Sequence, residues 1–153
     1  MDFNGKADFQ NAGIGIAGDS NYMALFTTNF TPSATGTYQF RTQNVDNVGA
    51  LWLDLNQNGI FEASNNEKMA GRNMAGISTA SANQSLIGSQ VYKMAIGFGE
   101  INGGERINPQ IITPSITSWT TMKPLAAAQN GLYTATGKKK KKIGKDQVKV
   151  EVT

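Results

Sequence analysis

Hydrophobic and polar residues alternate with a period of two along most of this chain, and no segment sustains a helical period. The alternation is clearest over residues 90–98, where Tyr92, Met94, Ile96 and Phe98 fall on one face. Successive side chains of a strand point to opposite faces of its sheet. This segment is therefore predicted to be a half-buried β-strand.

Further segments share this pattern, and we predict strands at residues 22–30, 37–44, 50–55, 105–112 and 116–121. Short strands separated by turn residues at intervals of roughly 8–15 residues are typical of a β-sandwich. The predicted fold class is therefore all-β: an antiparallel β-sandwich of two packed sheets, jelly-roll-like. Five side chains are expected to face the interior: Tyr38, Phe40, Tyr92, Met94 and Ile96.

Residues 54–62, DLNQNGIFE, place side-chain oxygens at the first, third and fifth positions and a glycine at the sixth, as an EF-hand calcium loop does. The twelfth position, where a bidentate Glu belongs, is Asn65, and the flanking segments are predicted strands rather than helices. The dipeptide Asn58-Gly59 is also a strong hairpin signal, because both residues tolerate positive φ. We therefore favour a hairpin that continues into a strand at 60–62.

The C-terminal segment differs in composition from the rest of the chain. Gly137 is followed by five lysines at 138–142, and residues 145–153 then alternate, with valines on one face. A lysine run can bind phosphates or an anionic membrane, but no aromatic residue interleaves with it, and we favour a solvated linker. The predicted organisation is one domain over residues 1–133, followed by a basic linker and a C-terminal strand at 134–153. That strand is either a late edge strand or the start of another domain.

The amino-acid composition limits which catalytic groups and metal ligands this chain can offer. The 153 residues suffice for one domain, and the chain holds 17 Gly but no Cys and no His. Disulfides, thiolate chemistry and His-based catalysis are therefore excluded, whereas the oxygen ligands that Ca²⁺ prefers are abundant. The sequence shows neither a run of about 20 apolar residues nor a leader with a basic start. We expect a fragment of a longer exported protein that is secreted or held at the cell surface.

The formal net charge of +3 comes from the tail. Residues 131–153 hold seven lysines and two acidic residues, whereas residues 1–130 hold seven basic and nine acidic residues. The body is therefore mildly acidic and lacks the basic surface that nucleic-acid binding requires.

Three stretches occur in an order that resembles a known family: FTTNFTPSATGTYQFRT at 26–42, VDNVGALWLDLNQNG at 45–59 and VYKMAIGFGEINGGERI at 91–107. The sequence NGLY at 130–133 is similar to the family's closing residues. Together they resemble the protective-antigen-type domain over roughly residues 13–133. This lectin-like β-sandwich is found in flocculins, fungal adhesins, toxins and glycosidase insertions, so the resemblance implies a sandwich that binds a ligand.

The resemblance also implies a metal site. Calcium-binding members of the family carry two adjacent aspartates joined by a cis peptide, and the matching residues here are Asp46 and Asn47. A cis Asp46–Asn47 peptide is therefore expected, with further Ca²⁺ ligands from Glu100 and Asn102 in the glycine-rich loop at 99–104. Asn47 retains an oxygen but lacks the charge on which Ca²⁺ affinity depends. Because many members bind no calcium, an ordinary turn at the pair and a solvated loop stay open as alternatives.

The function implied is a calcium-assisted carbohydrate-binding module of a larger exported adhesin or envelope protein. Sugar contacts are expected from Asp46, Asn47, Asn102, Gly103 and Trp119. The alternative is a structural spacer or assembly domain that joins neighbouring chains or domains through strand pairing, with no ligand. No enzymatic activity is expected, because the one candidate carboxylate pair, Asp46 and Glu100, is implied to ligate the metal. The expected partner is a cell-surface glycan or polysaccharide, without nucleic-acid binding or membrane insertion.

Overall fold

The computed structural model describes residues 3–11, 21–72, 76–77 and 80–122, together with the backbone of three later strands. The described part is almost entirely β-structure, with one six-residue helix and one short 3-10 helix at Ala63–Asn65. The elements in chain order are α1 (Lys6–Asn11), β1 (Tyr22–Pro32), β2 (Gly36–Asp46), β3 (Val48–Leu53), β4 (Lys68–Arg72), β5 (Gln84–Leu86), β6 (Tyr92–Glu100), β7 (Arg106–Thr113), β8 (Ile116–Thr121), β9 (Tyr133–Thr136), β10 (Lys139–Lys142) and β11 (Gln147–Val152).

The strands form two sheets. The larger sheet has the order β10-β11-β1-β6-β3-β4, with β9 also paired to β1, and the smaller sheet has the order β5-β2-β7-β8. The pairings that build the body are antiparallel, whereas β11 runs parallel to β1. The predicted all-β antiparallel sandwich is confirmed.

The core lies between the two sheets. Phe30 on the larger sheet meets Tyr38 and Phe40 on the smaller sheet edge to face, with ring centroids 6.1 and 5.7 Å apart. All five side chains predicted to face the interior are buried: Tyr38, Phe40, Tyr92, Met94 and Ile96. Their burial follows from the period-two pattern, which turns every second residue of β2 and β6 toward the other sheet.

Helix α1 was not predicted from the sequence. Its Phe9 is fully buried and stacks on Phe98 of β6 and on Phe3, with centroids 4.9 and 4.3 Å apart. A six-residue helix is too short to be stable by itself, so tertiary packing of Phe9 holds it. The helix covers the core at the end of the sandwich where β6 ends.

The predicted hairpin at Asn58-Gly59 is wrong. Gly59 does adopt positive φ (84°), but residues 60–62 form no strand. Instead β3 pairs antiparallel with β4, which begins beyond residue 67. The Asn-Gly dipeptide does lie in a turn. In the longer connection, however, backbone N–H groups donate to side-chain oxygens instead of to a partner strand.

The C-terminal strand forms within this same chain. Strand β11 pairs with β1 over Met23–Thr28, and β10 lies within the segment predicted as a linker, paired antiparallel with β11. The side chains of the valines and Lys138 lie outside the described residues, and the domain boundary at 133–134 stays a prediction. Neither helix in the described part of the chain is long and apolar enough to cross a bilayer.

Candidate functional site

A bulge at the end of β2 sets up the candidate site. The pairing of β2 with β7 shifts register between Gln43 and Asp46, and Asn44 adopts a left-handed conformation with φ of 53°. Bulges re-aim side chains at the ends of strands. The Asp46–Asn47 peptide that follows is cis, which confirms the expectation from the family resemblance. Both side chains are half-buried.

Asn47 fixes the glycine-rich loop against this pair. Its Oδ1 accepts hydrogen bonds from the backbone N–H groups of Ile101 and Asn102, at 2.8 and 3.2 Å. Its own backbone N–H donates to the Gly99 carbonyl at 3.2 Å. Its Nδ2 donates to Asp46 Oδ1 at 2.9 Å. The oxygen of Asn47 thus faces the loop backbone, and its role as a metal ligand stays a prediction that requires this side chain to turn.

Glu100 is the most unusual group in the site. Its side chain is 2% exposed, and among the described residues neither carboxylate oxygen has a hydrogen-bond partner. Burial, then the negative charges of Asp46 and Glu105, raise the pKa of Glu100 to about 7. A buried carboxylate without donors is costly, so this group favours either a proton or a cation.

Glu105 is a third carboxylate at this end of the sandwich. It is buried, and its Oε2 accepts a hydrogen bond from the backbone N–H of Lys6 at 3.1 Å. Glu105 was not predicted from the sequence, although its position directly after the glycine-rich loop was a usable signal. Helix α1 contributes the donor, and nothing in the periodicity indicated that helix.

These groups fit a hard cation in part. Carboxylates and amide oxygens are the ligands that Ca²⁺ takes, and the oxygens of Glu100 have no hydrogen-bond partner among the described residues. Within the described ranges, no three Asp, Glu, His or Cys side chains form a set that could hold a metal ion by themselves. A cation here would need amide, backbone or ligand oxygens as well.

A shallow pocket of about 350 Å³ lies beside Glu100. Met23 and Ile101 are large apolar residues of its lining that are more than half exposed. The full lining combines these apolar walls with polar groups: Asn21, Tyr22, Met23, Val48, Gly99, Glu100 and Ile101. The pocket therefore offers an apolar surface next to carboxylate and amide groups.

The remaining residues predicted to bind the ligand lie in two separate places. Asn102 and Gly103 are exposed at the tip of the loop, and Gly103 has φ of 100° with open space around it. Trp119 lies on β8, where the guanidinium of Arg41 covers its ring at 4.4 Å. Arg41 precedes Asp46 by five residues on β2, which is roughly 16 Å of strand. The structure therefore does not bring Trp119 to the loop.

Most of the chain matches a known protein family. The model of the family described as the PA14 domain matches residues 15–128. No curated protein matches the chain.

Proposed function

We propose that this chain, which belongs to the PA14 domain family, is a calcium-assisted glycan-binding module of a larger exported protein. The PA14 domain is a carbohydrate-binding-like domain of larger proteins, and in many of them it is lectin-like and non-catalytic. PA14 domains typically occur in extracellular proteins. Placement in an adhesin or envelope protein at the cell surface is part of the proposal.

The observation that supports the calcium assignment is the buried carboxylate of Glu100 beside Asp46, which has no hydrogen-bond partner in the described part of the chain. Two like charges raise the free energy of the cation-free site, and a divalent cation would reverse that penalty. Asp46, Glu100 and Asn102 would hold the ion, joined by Asn47 if its side chain turns. When bound, Ca²⁺ would supply coordination positions for sugar hydroxyl groups.

The pocket beside Glu100 supplies the rest of a sugar site. Sugar rings present apolar C–H faces as well as hydroxyl groups. Met23 and Ile101 offer exposed apolar surface to such a face. The amide of Asn21 in the lining, and that of Asn102 next to Ile101 on the loop, can select among hydroxyl arrangements. Trp119, covered by Arg41 and distant along the sheet, does not contribute to this pocket.

A glycan array probed in CaCl₂ and again in EDTA tests the proposal. We expect glycan binding that requires calcium. Asp46→Ala should abolish it together with calcium binding at the Asp46–Glu100 site, while the circular dichroism spectrum is retained. Trp119→Ala serves as the matched surface control and should bind as the unchanged chain does. Binding that persists in EDTA would refute calcium assistance alone, whereas no binding to any glycan would refute the whole proposal.

A further inference from the structure

The connection between β3 and β4, residues 54–67, is a second acidic region. It carries three carboxylates, Asp54, Glu62 and Glu67, and no lysine or arginine. It lies at the opposite end of β3 from Asn47, roughly 20 Å away along the strand. We call it the β3–β4 loop.

Side-chain oxygens organise the first half of the β3–β4 loop. Asp54 Oδ2 accepts a hydrogen bond from the Gly59 N–H at 2.8 Å. Asn56 Oδ1 accepts from the Asn58 N–H at 2.9 Å, and Asn58 Oδ1 accepts from the Ile60 N–H at 2.8 Å. The chain is thereby wound around the side chains at the first, third and fifth positions of the loop.

The other side chains converge on Glu62. Its Oε2 accepts hydrogen bonds from the Nδ2 groups of Asn56, Asn58 and Asn65, at 3.1, 2.8 and 2.8 Å. Four side chains from separate positions therefore meet at one point on the open side of the loop. Glu67 is fully buried and accepts three backbone N–H groups of the loop, which fixes the loop from its buried side.

Asp54 is left incompletely satisfied. Its side chain is 1% exposed, and across the described ranges its Oδ1 has no hydrogen-bond partner. Oδ2 of the same carboxylate accepts the Gly59 N–H, so the Asp54 carboxylate lies at the turn. A buried charged oxygen without a partner is rare in folded proteins, and coordination of a cation would satisfy it.

We propose that the β3–β4 loop binds a Ca²⁺ ion. Asp54 Oδ1 and the Glu62 carboxylate supply the charged ligands, with neutral oxygens from the Asn56 and Asn58 side chains and the Ile60 carbonyl. These are the first, third, fifth, seventh and ninth positions of a calcium loop. Cation binding displaces the amide N–H groups from Glu62 and turns amide oxygens inward. Glu67 adds negative charge two positions beyond Asn65, where an EF-hand carries its last Glu.

One competing arrangement is metal-free. Three amide groups already satisfy Glu62 Oε2 with hydrogen bonds, and the ammonium Nζ of Lys93 lies 3.1 Å from the point where a Cβ on Gly59 would sit. In that case the loop would be complete without a cation, and Lys93 would supply the balancing charge. The experiment must separate these two arrangements.

The test is calcium titration of the Asp46→Ala chain, which removes the ligand proposed for the other site. We expect one remaining Ca²⁺ by isothermal titration calorimetry, and Tb³⁺ luminescence sensitised from nearby Trp52. Adding Asp54→Asn should weaken calcium affinity at least ~10-fold because a charged ligand is lost. The fold should persist, since the Asn oxygen can still accept the Gly59 N–H.

Glu62→Gln is the second variant, at an incompletely buried side chain where folding is not at risk. It should also weaken calcium affinity ~10-fold. Absence of calcium binding by Asp46→Ala up to about 10 mM CaCl₂, beyond the affinity range of extracellular modules, would overturn the proposal. Unchanged calcium affinity in both loop variants would overturn it too. So would a melting temperature of the Asp46→Ala chain that changes with Lys93→Met but not with CaCl₂.

Discussion

Two buried glutamates near opposite ends of the larger sheet have opposite surroundings. Glu67 is fully buried and accepts three backbone N–H bonds, from Leu55, Asn56 and Glu62. Glu100 is nearly as buried, yet among the described residues it accepts none and faces two other carboxylates. Burial therefore has different consequences for the two carboxylates, because only one of them gains hydrogen-bond donors. Glu67 organises its loop, whereas Glu100 is left with an electrostatic demand that a proton or a cation can meet.

The largest expected effect is at Glu67. Glu67→Ala removes the acceptor of three backbone N–H groups, and leaving such donors unsatisfied should lower the free energy of unfolding by about 3–5 kcal/mol. Urea denaturation followed by tryptophan fluorescence measures this. Glu67→Gln, which keeps one acceptor oxygen, should cost less than half as much. A loss below about 1 kcal/mol for Glu67→Ala would show that water replaces the carboxylate.

Glu100 should show a pH dependence of the opposite kind. Its pKa is about 7 in the folded chain against an ordinary value of 4.5, so the folded state binds more protons between these pH values. The contribution of Glu100 to the stability of the calcium-free protein should therefore be fully present below pH 4.5. It should be lost as pH rises through 7, at a cost of about 3 kcal/mol.

Urea denaturation in EDTA at pH 5 and pH 8 checks this expectation. Glu100→Gln, which cannot ionise, should reduce the difference between the two pH values by the same amount. Equal pH dependence in the variant and the unchanged chain would show that Glu100 is not the titrating group. Calcium at pH 8 should restore stability to the unchanged chain and less so to the variant.

A smaller effect is expected from Asn47→Asp. The carboxylate can still accept the N–H groups of Ile101 and Asn102, while the donor to Asp46 is replaced by a charged oxygen. Calcium affinity at this site should rise about 10-fold, because affinity follows ligand charge. Calorimetry measures the change, and the affinity of the β3–β4 loop, at the other end of β3, should stay constant. An unchanged or weaker affinity at the Asp46 site would argue that Asn47 serves only to hold the loop.

Deletion of residues 138–153 should have the smallest effect on the surroundings of Glu67 and Glu100. It removes β10 and β11 from the edge of the larger sheet, but β1 keeps its pairing with β6 along Tyr22–Phe30. We expect cooperative thermal melting and unchanged calcium responses at both acidic regions. Loss of cooperative melting would place the C-terminal strand in the core of the domain.

By itself, the sequence determined six strands of the body, β1, β2, β3, β6, β7 and β8, and the faces that β2 and β6 bury, but it gave no sign of β4 or β5. Alternation at 37–44 and 90–98 identified Tyr38, Phe40 and Met94 as core, because side-chain direction in a strand is a local property. The family resemblance identified Asp46 and Asn47, whose motif is contiguous in sequence.

Only the tertiary structure decided which carboxylates lose water and which find donors. Glu100 is buried next to Asp46 because β6 and β2 end together, and Glu105 is held by the backbone of a helix 99 residues away in sequence. The loop at 54–67 has the spacing of a hairpin signal and of a calcium loop alike. The structure rules out the hairpin strand at 60–62, where buried Glu67 instead accepts the N–H of Glu62. Desolvation and hydrogen bonding depend on groups distant in sequence, and a local pattern does not encode them.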